Sequence, residues 1–191
     1  SLAAETVSAK ADTQNLDAYE LFLRGREGFL ARSYETIPGT IETLQKAVEL
    51  DPGFARAWAA LAAISSVAEG WGHTDLGYRE LSLEAARRAI SLDDSLSMPY
   101  AVLGFDLIER THGDYVAAFD MLDEALERDP KDVTALLWRA IGRLSVGELD
   151  GAVDDLLRCR AVDPAYEHCR QFLAVAYIYL GEKQKAYALF E

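Results

Sequence analysis

Proline occurs only 5 times and glycine 13 times in 191 residues, so the residues that most often interrupt regular structure are few. Alanine and leucine are plentiful, and that balance favours helix over strand. Cysteine occurs twice, at Cys159 and Cys169, too sparsely for a disulfide framework or a metal set. They could face each other, since both flank the Asp163-Pro164 turn, but buried free thiols are the favoured expectation. No apolar run approaches the length of a membrane span and the opening residues carry no signal-peptide pattern, so a cytoplasmic location is expected. Positive charge is the minority sign: a net charge of −13 repels phosphate backbones and anionic membrane surfaces. Nucleic acid and membrane are therefore poor partners.

Catalytic constellations are missing as well. Serine, histidine and acid do not converge, no glycine-rich phosphate loop occurs, and no base stands beside either cysteine. No catalytic residue, no enzyme activity and no cofactor are expected. His73 with Asp75, and His112 with Asp114, fall in two successive inter-helix turns. Two histidines on loops without a third fixed ligand make a poor metal site, so these are read as exposed turn residues and no metal is expected.

What is present is a repeat. Half of the residues are hydrophobic, enough for a continuous core in one compact domain or in about five units of roughly 34 residues. Four stretches read as a helix running into a short acidic turn: Val48–Pro52, Ile90–Asp94, Leu126–Pro130 and Arg160–Pro164. Their last residues are spaced by 42, 36 and 34.

The helices before and after these turns share a slot pattern. The last unit carries Leu173-Ala174, Tyr177, Gly181, Ala186 and Phe190, and the third carries Tyr100, Leu103-Gly104, Leu107, Ala118, Leu122, Ala125 and Pro130. The second has Trp58, Leu61-Ala62, Ala86 and Ala89. The fourth has Leu136, Ala140, Gly147, Ala152, Leu156, Cys159 and Pro164, and the first Gly25, Leu44, Ala47 and Pro52. Small residues let paired helices approach, large ones fill the space around the contact, and proline after the second helix blocks its continuation. This pattern resembles the tetratricopeptide repeat, whose first helix has a Trp slot, a Leu-Gly pair and a Tyr slot and whose second has Ala, Phe and Ala slots before a Pro. The resemblance implies an all-α superhelical solenoid of about five antiparallel helix pairs that binds other polypeptide.

Helices are expected at 16–32, 38–50, 55–69, 77–92, 97–110, 114–128, 133–146, 149–161, 167–180 and 183–191. The units are 15–52, 55–94, 97–130, 133–164 and 167–191, after a lead-in of 1–14. Pro99 falls in a first turn, where no intrahelical N–H is lost. The eight extra residues of the second unit lie at 69–77, where three glycines mark a loop and Trp71 needs a place to pack. The chain opens at Ser1 and stops at Glu191 inside an expected helix, so it is expected to be a piece of a larger protein. Its last helix is expected to fray or to be shielded by another copy. The segment Asn15–Arg26 (NLDAYELFLRGR) resembles the opening of repeat arrays in bacterial adenylate/guanylate cyclase-like proteins and related winged-helix regulators. That resemblance implies a regulatory, signalling context.

Two sets of residues are candidates for function. Arg139 and Arg143 take the Leu and Tyr slots of the fourth unit, and Arg170 the Trp slot of the fifth, where a bare charge is costly to bury. They either pair with acids of the second helices (Asp120, Asp123, Glu124, Asp154, Asp155) or form an anion pocket for an acidic side chain or C-terminus. The concave face is expected to be lined by first-helix residues just beyond the Trp slot: Ala59, Ala63 and Ser66; Ala101, Phe105 and Ile108; Leu137, Ile141 and Leu144; Gln171, Val175 and Ile178. Trp138, Phe172 and Tyr179 stand close by. The lysines and asparagines with which chaperone-binding members of the repeat family clamp a carboxylate are missing here. An apolar groove of this kind fits a protein or peptide partner, above all an amphipathic helix. The rival reading is a homodimerisation module, with another copy of the chain covering the groove.

Overall fold

The computed structural model describes residues 13–74, 77–110 and 113–190. Among them the regular elements are all helical: α1 Leu16–Leu30, α2 Ile37–Leu50, α3 Ala55–Val67, a single 3-10 turn Glu69–Trp71, α4 Tyr78–Leu92 and α5 Ser97–Glu109. There follow α6 Tyr115–Arg128, α7 Val133–Val146, α8 Leu149–Val162, α9 Glu167–Tyr179 and α10 Lys183–Tyr187. The chain divides into two compact units, residues 1–102 and 103–191.

The helices start and stop where local chemistry dictates. Asn15, Asp114 and Asp132 cap α1, α6 and α7 by accepting backbone N–H groups of Ala18, Ala117, and Thr134 with Ala135, which satisfies donors that the first turn leaves free. The ends of α2, α4, α6 and α8 are four copies of one turn. Asp51, Asp93, Asp129 and Asp163 all adopt extended backbone, with φ of −140°, −153°, −135° and −135°. In each, Oδ1 accepts the N–H two residues on, from Gly53, Ser95, Lys131 and Ala165, at 2.9–3.0 Å. The aspartate of the acidic motif is thus an Asx turn that stops one helix and aims the next. Gly147 and Gly181 close α7 and the residues after α9 with left-handed backbone, φ 82° and 78°. The following N–H groups return to Arg143 O and Tyr177 O at 2.9 and 2.8 Å, so both turns recover helix-end carbonyls.

Within residues 1–102, α1 packs on α2, α2 on α3 and α3 on α4, and α1 also touches α3. Gly25 faces Leu44 so closely that a Cβ would overlap that side chain. Ser82 of α4 donates to the Ala62 carbonyl of α3 at 3.0 Å, which places small-slot Ala62 at a helix–helix contact. The loop after α3 packs on the loop after α1: the His73 ring stacks on Tyr34 with centroids 4.5 Å apart, and its Nε2 donates to the Tyr34 carbonyl at 2.7 Å. His73 is therefore half-buried and engaged, where an exposed turn residue is expected; the stacking surface lies in a loop that periodicity does not describe. Trp71 remains 37% exposed.

Within residues 103–191, α6 packs on α7, α7 on α8, α8 on α9 and α9 on α10, with α7 also touching α9. Gly104 is a true close approach: an added Cβ would lie 2.8 Å from Leu122 Cγ and 3.0 Å from the Ala118 carbonyl of α6. Helix bounds match the sequence expectation to within about two residues, except that α10 ends at Tyr187 rather than at Glu191, which lies outside the described residues. Phe190 follows α10, 55% exposed, and so does not fill the core slot assigned to it.

The cysteines differ from expectation. Both are fully buried, but Cys159 and Cys169 are joined in a disulfide with Cα atoms 6.2 Å apart. The physical reason is the Asp163 turn, which brings the last turn of α8 against the first turn of α9. No free thiol remains.

Candidate functional site

The candidate face of the second unit is built on three first helices. Residues 105 and 108 of α5, 137, 141 and 144 of α7, and 171, 175 and 178 of α9 recur at helical spacing, which puts each set on one side of its helix. Their burial sorts them. Ile108 and Leu137 are buried, Phe105, Ile141, Leu144 and Val175 half-buried, and Gln171 and Ile178 exposed.

The sorting has a cause that slot counting does not reveal. An added Cβ on Gly142 of α7 would meet Ile108 Cδ1 at 2.9 Å and Phe119 Cε1 at 3.0 Å, so a glycine here lets α5 and α7 close on one another. Ile108 is drawn into that contact. Trp138 is also buried, with Phe105 stacked on it at 4.5 Å between ring centroids. Ile108, Leu137 and Trp138 thus join the inter-helix packing instead of lining a surface. What stays accessible is Phe105, Ile141, Leu144, Val175 and Ile178, with Phe172 half-buried and Tyr179 exposed beside them. In the first unit, Ala59 and Ala63 are buried in α3 and Ser66 donates to the Ala63 carbonyl at 2.9 Å.

The three pattern-breaking arginines do not converge as free cations. Arg139 sends Nε and Nη2 to the two oxygens of Asp155, at 2.9 and 2.6 Å, and Nη1 to Asp123. Arg143 donates to Asp155 at 2.7 Å and to the Gly151 carbonyl at 3.0 Å. Burial alone lowers the Arg139 pKa; hydrogen bonds and charges from Asp155 and Asp123 outweigh it and raise the group above the ordinary guanidinium value. Arg170 pairs with Glu167 at 2.6 Å and lies over the Phe190 ring, 4.8 Å from its centroid. An anion entering here would have to displace carboxylates, and Arg170 stands with a different acid. Asp123 and Asp155 are the acids recruited, whereas Asp120 and Asp154 stay exposed and Glu124 pairs with Arg128.

Asp75 and His112 lie outside the described residues. Among the described residues no group of three or more histidines, cysteines and acids is arranged to hold a metal ion, and no helix is long and apolar enough to cross a membrane.

No protein-family model matches the chain, and neither does any curated protein sequence. Solved structures do. A thermophilic tetratricopeptide-repeat protein of Thermus thermophilus, TTC0263, superposes with a TM-score of 0.69 at 20% identity, covering 91% of this chain and 88% of that one. PilW, a type IV pilus biogenesis factor, gives 0.65 at 19% identity over 92% and 77% of the two chains. PilF of Pseudomonas aeruginosa gives 0.61 at 21% identity over 91% and 75%. Identities this low speak to architecture. Together with the helix pairs and their repeated turns, they show that the chain has the all-α tetratricopeptide-repeat fold.

Proposed function

We propose that the chain is a non-catalytic protein–protein interaction module whose second unit binds an apolar stripe of another polypeptide. The observation that carries this reading is the run of half-buried to exposed side chains Phe105, Ile141, Leu144, Val175 and Ile178. Among the described residues no sheet edge offers free backbone groups, so recognition must come from side chains, and an amphipathic helix presents apolar groups at matching spacing. The arginines that could have clamped a carboxylate are held by Asp123, Asp155 and Glu167, which favours an apolar ligand over an acidic one. The module extends over 15–191 with the repeat boundaries expected above. The likeness of Asn15–Arg26 to cyclase-like arrays supports a place in a bacterial signalling protein.

A photo-crosslinking residue at position 141 or 175 tests the reading. It should trap a peptide with apolar residues three or four apart, and a synthetic copy of that peptide should bind the unmodified chain and lose binding to Ile141→Asp but not to Asp154→Lys. Loss with Asp154→Lys alone would move the site to the acidic second helices. A second reading, self-association, is favoured by the exposed Ile178, Tyr179, Tyr187 and Phe190 at the α9–α10 end. It predicts crosslinks from 175 to another copy of the chain and a dimer in sedimentation.

A further inference from the structure

The disulfide occupies a position that the fold repeats. Four residues before each turn aspartate stand Ala47, Ala89, Ala125 and Cys159; ten residues after each of these stand Ala57, Pro99, Ala135 and Cys169. All eight are buried. In every case the first lies in the last turn of a second helix and the other in the opening turn of the next first helix. At three junctions these two buried places hold alanine or proline. The fourth has the same place filled by a covalent bond.

The helices it holds are thinly anchored. On α10, five residues long, Ala186 is the one buried side chain, and α9 buries Cys169, Leu173, Ala174 and Ala176. By contrast α3 buries nine residues along its length. Segments with few buried apolar contacts open first, and a bond across a short loop removes much of the freedom that opening would gain.

We propose that Cys159–Cys169 is a redox clamp on the fifth helix pair: closed, it holds α9 and α10 on α8; reduced, it lets them open locally while the rest of the unit stays folded. A dithiol of the thioredoxin class supplies the two electrons. One of its thiolates attacks a cystine sulfur, the S–S bond breaks, and the other cysteine leaves as a thiolate that takes up a proton. The second thiol of the reductant then displaces the attacked cysteine, which is released as a thiol, and closes the reductant's own disulfide. Because both cysteines are fully buried, attack waits on opening of α9, so the same motion that the clamp restrains also exposes it.

The test uses the full chain purified without reductant, with dithiothreitol as the probe. In denaturant it should show no reactive thiol before reduction and two afterwards. Amide exchange over 167–187 should rise at least about tenfold on reduction, while 133–146 and 16–67 stay unchanged. The Cys159→Ala/Cys169→Ala variant, which restores the small pair found at the other junctions, should exchange like the reduced protein and ignore dithiothreitol. Two thiols in the protein as isolated, equal exchange over 167–187 in both states, or a rise spread evenly along the chain would each overturn the proposal. Should the double variant not fold, the comparison of oxidised with reduced protein decides alone.

Discussion

Arg139 of α7 and Asp155 of α8 meet through two parallel hydrogen bonds, Nε to Oδ2 at 2.9 Å and Nη2 to Oδ1 at 2.6 Å, with Asp155 only 1% exposed. Arg143 adds a third donor to the same carboxylate at 2.7 Å. Removing the acid leaves two guanidinium groups in a space built around it. Asp155→Ala should therefore destabilise the chain by about 3–5 kcal/mol, the cost typical of breaking a buried pair on one side. Asp154→Ala, one residue away and exposed, should change little, within about 0.5 kcal/mol. Urea unfolding of the two variants measures the contrast, and equal effects would mean that Asp155 is solvated.

Glycine at two close approaches gives a second expectation. Gly104→Leu forces a side chain against Leu122 and the Ala118 carbonyl, and overpacking of this kind costs about 1–3 kcal/mol. Gly142→Leu should cost a similar amount by pressing on Ile108 and Phe119. It should also disturb the stacked Phe105–Trp138 pair, so that tryptophan fluorescence shifts in Gly142→Leu. Thermal melts that match the parent protein for both variants would place these glycines away from the helix contacts.

The Asx turns can be tested one by one. Each aspartate side chain makes one local hydrogen bond to backbone, so Asp→Ala at 51, 93, 129 or 163 should cost about 1 kcal/mol each. Two of them accept a second donor, Asp51 from Thr13 Oγ1 at 2.5 Å and Asp93 from Ser95 Oγ at 2.6 Å; because Thr13 is buried and Ser95 exposed, Asp51→Ala should be the costliest of the four. The midpoints of chemical unfolding rank them.

A fourth prediction follows from the equivalence of junctions. In the Cys159→Ala/Cys169→Ala background, Ala125→Cys/Ala135→Cys should oxidise to a disulfide without loss of helix content, because those positions match the natural pair in burial and spacing. Mass spectrometry of the air-oxidised protein reads the loss of two hydrogens. Persistent free thiols would show that the last junction has a geometry of its own.

Much of the helical frame was legible because the acidic turn recurs, and each recurrence fixes two helix ends at once. The slots for Gly104 and Ala62 were legible because a close approach demands a small residue whatever surrounds it. The accessible face was less so. The spacing describes each first helix alone, whereas Ile108 packs against Gly142 of the next one and Trp138 lies under the Phe105 ring. The arginines presented two readings that only side-chain geometry separates, since Asp123 and Asp155 lie 16 residues to either side of Arg139. Cysteine count pointed away from a bond. The ten-residue spacing that Cys159 and Cys169 share with Ala47/Ala57, Ala89/Pro99 and Ala125/Ala135 was present in the sequence, yet its meaning depends on knowing that all of these positions are buried at the same turn.

The four aspartate turns share one backbone geometry. A chain whose every splice has the same shape can be lengthened by copying a stretch that starts and finishes at that splice. Residues 130–163 run from just past Asp129 to Asp163, so a tandem duplicate of them would meet its neighbours through joints that already exist. The length of such a protein is then a quantity that duplication can change in whole steps, with no new loop to be invented.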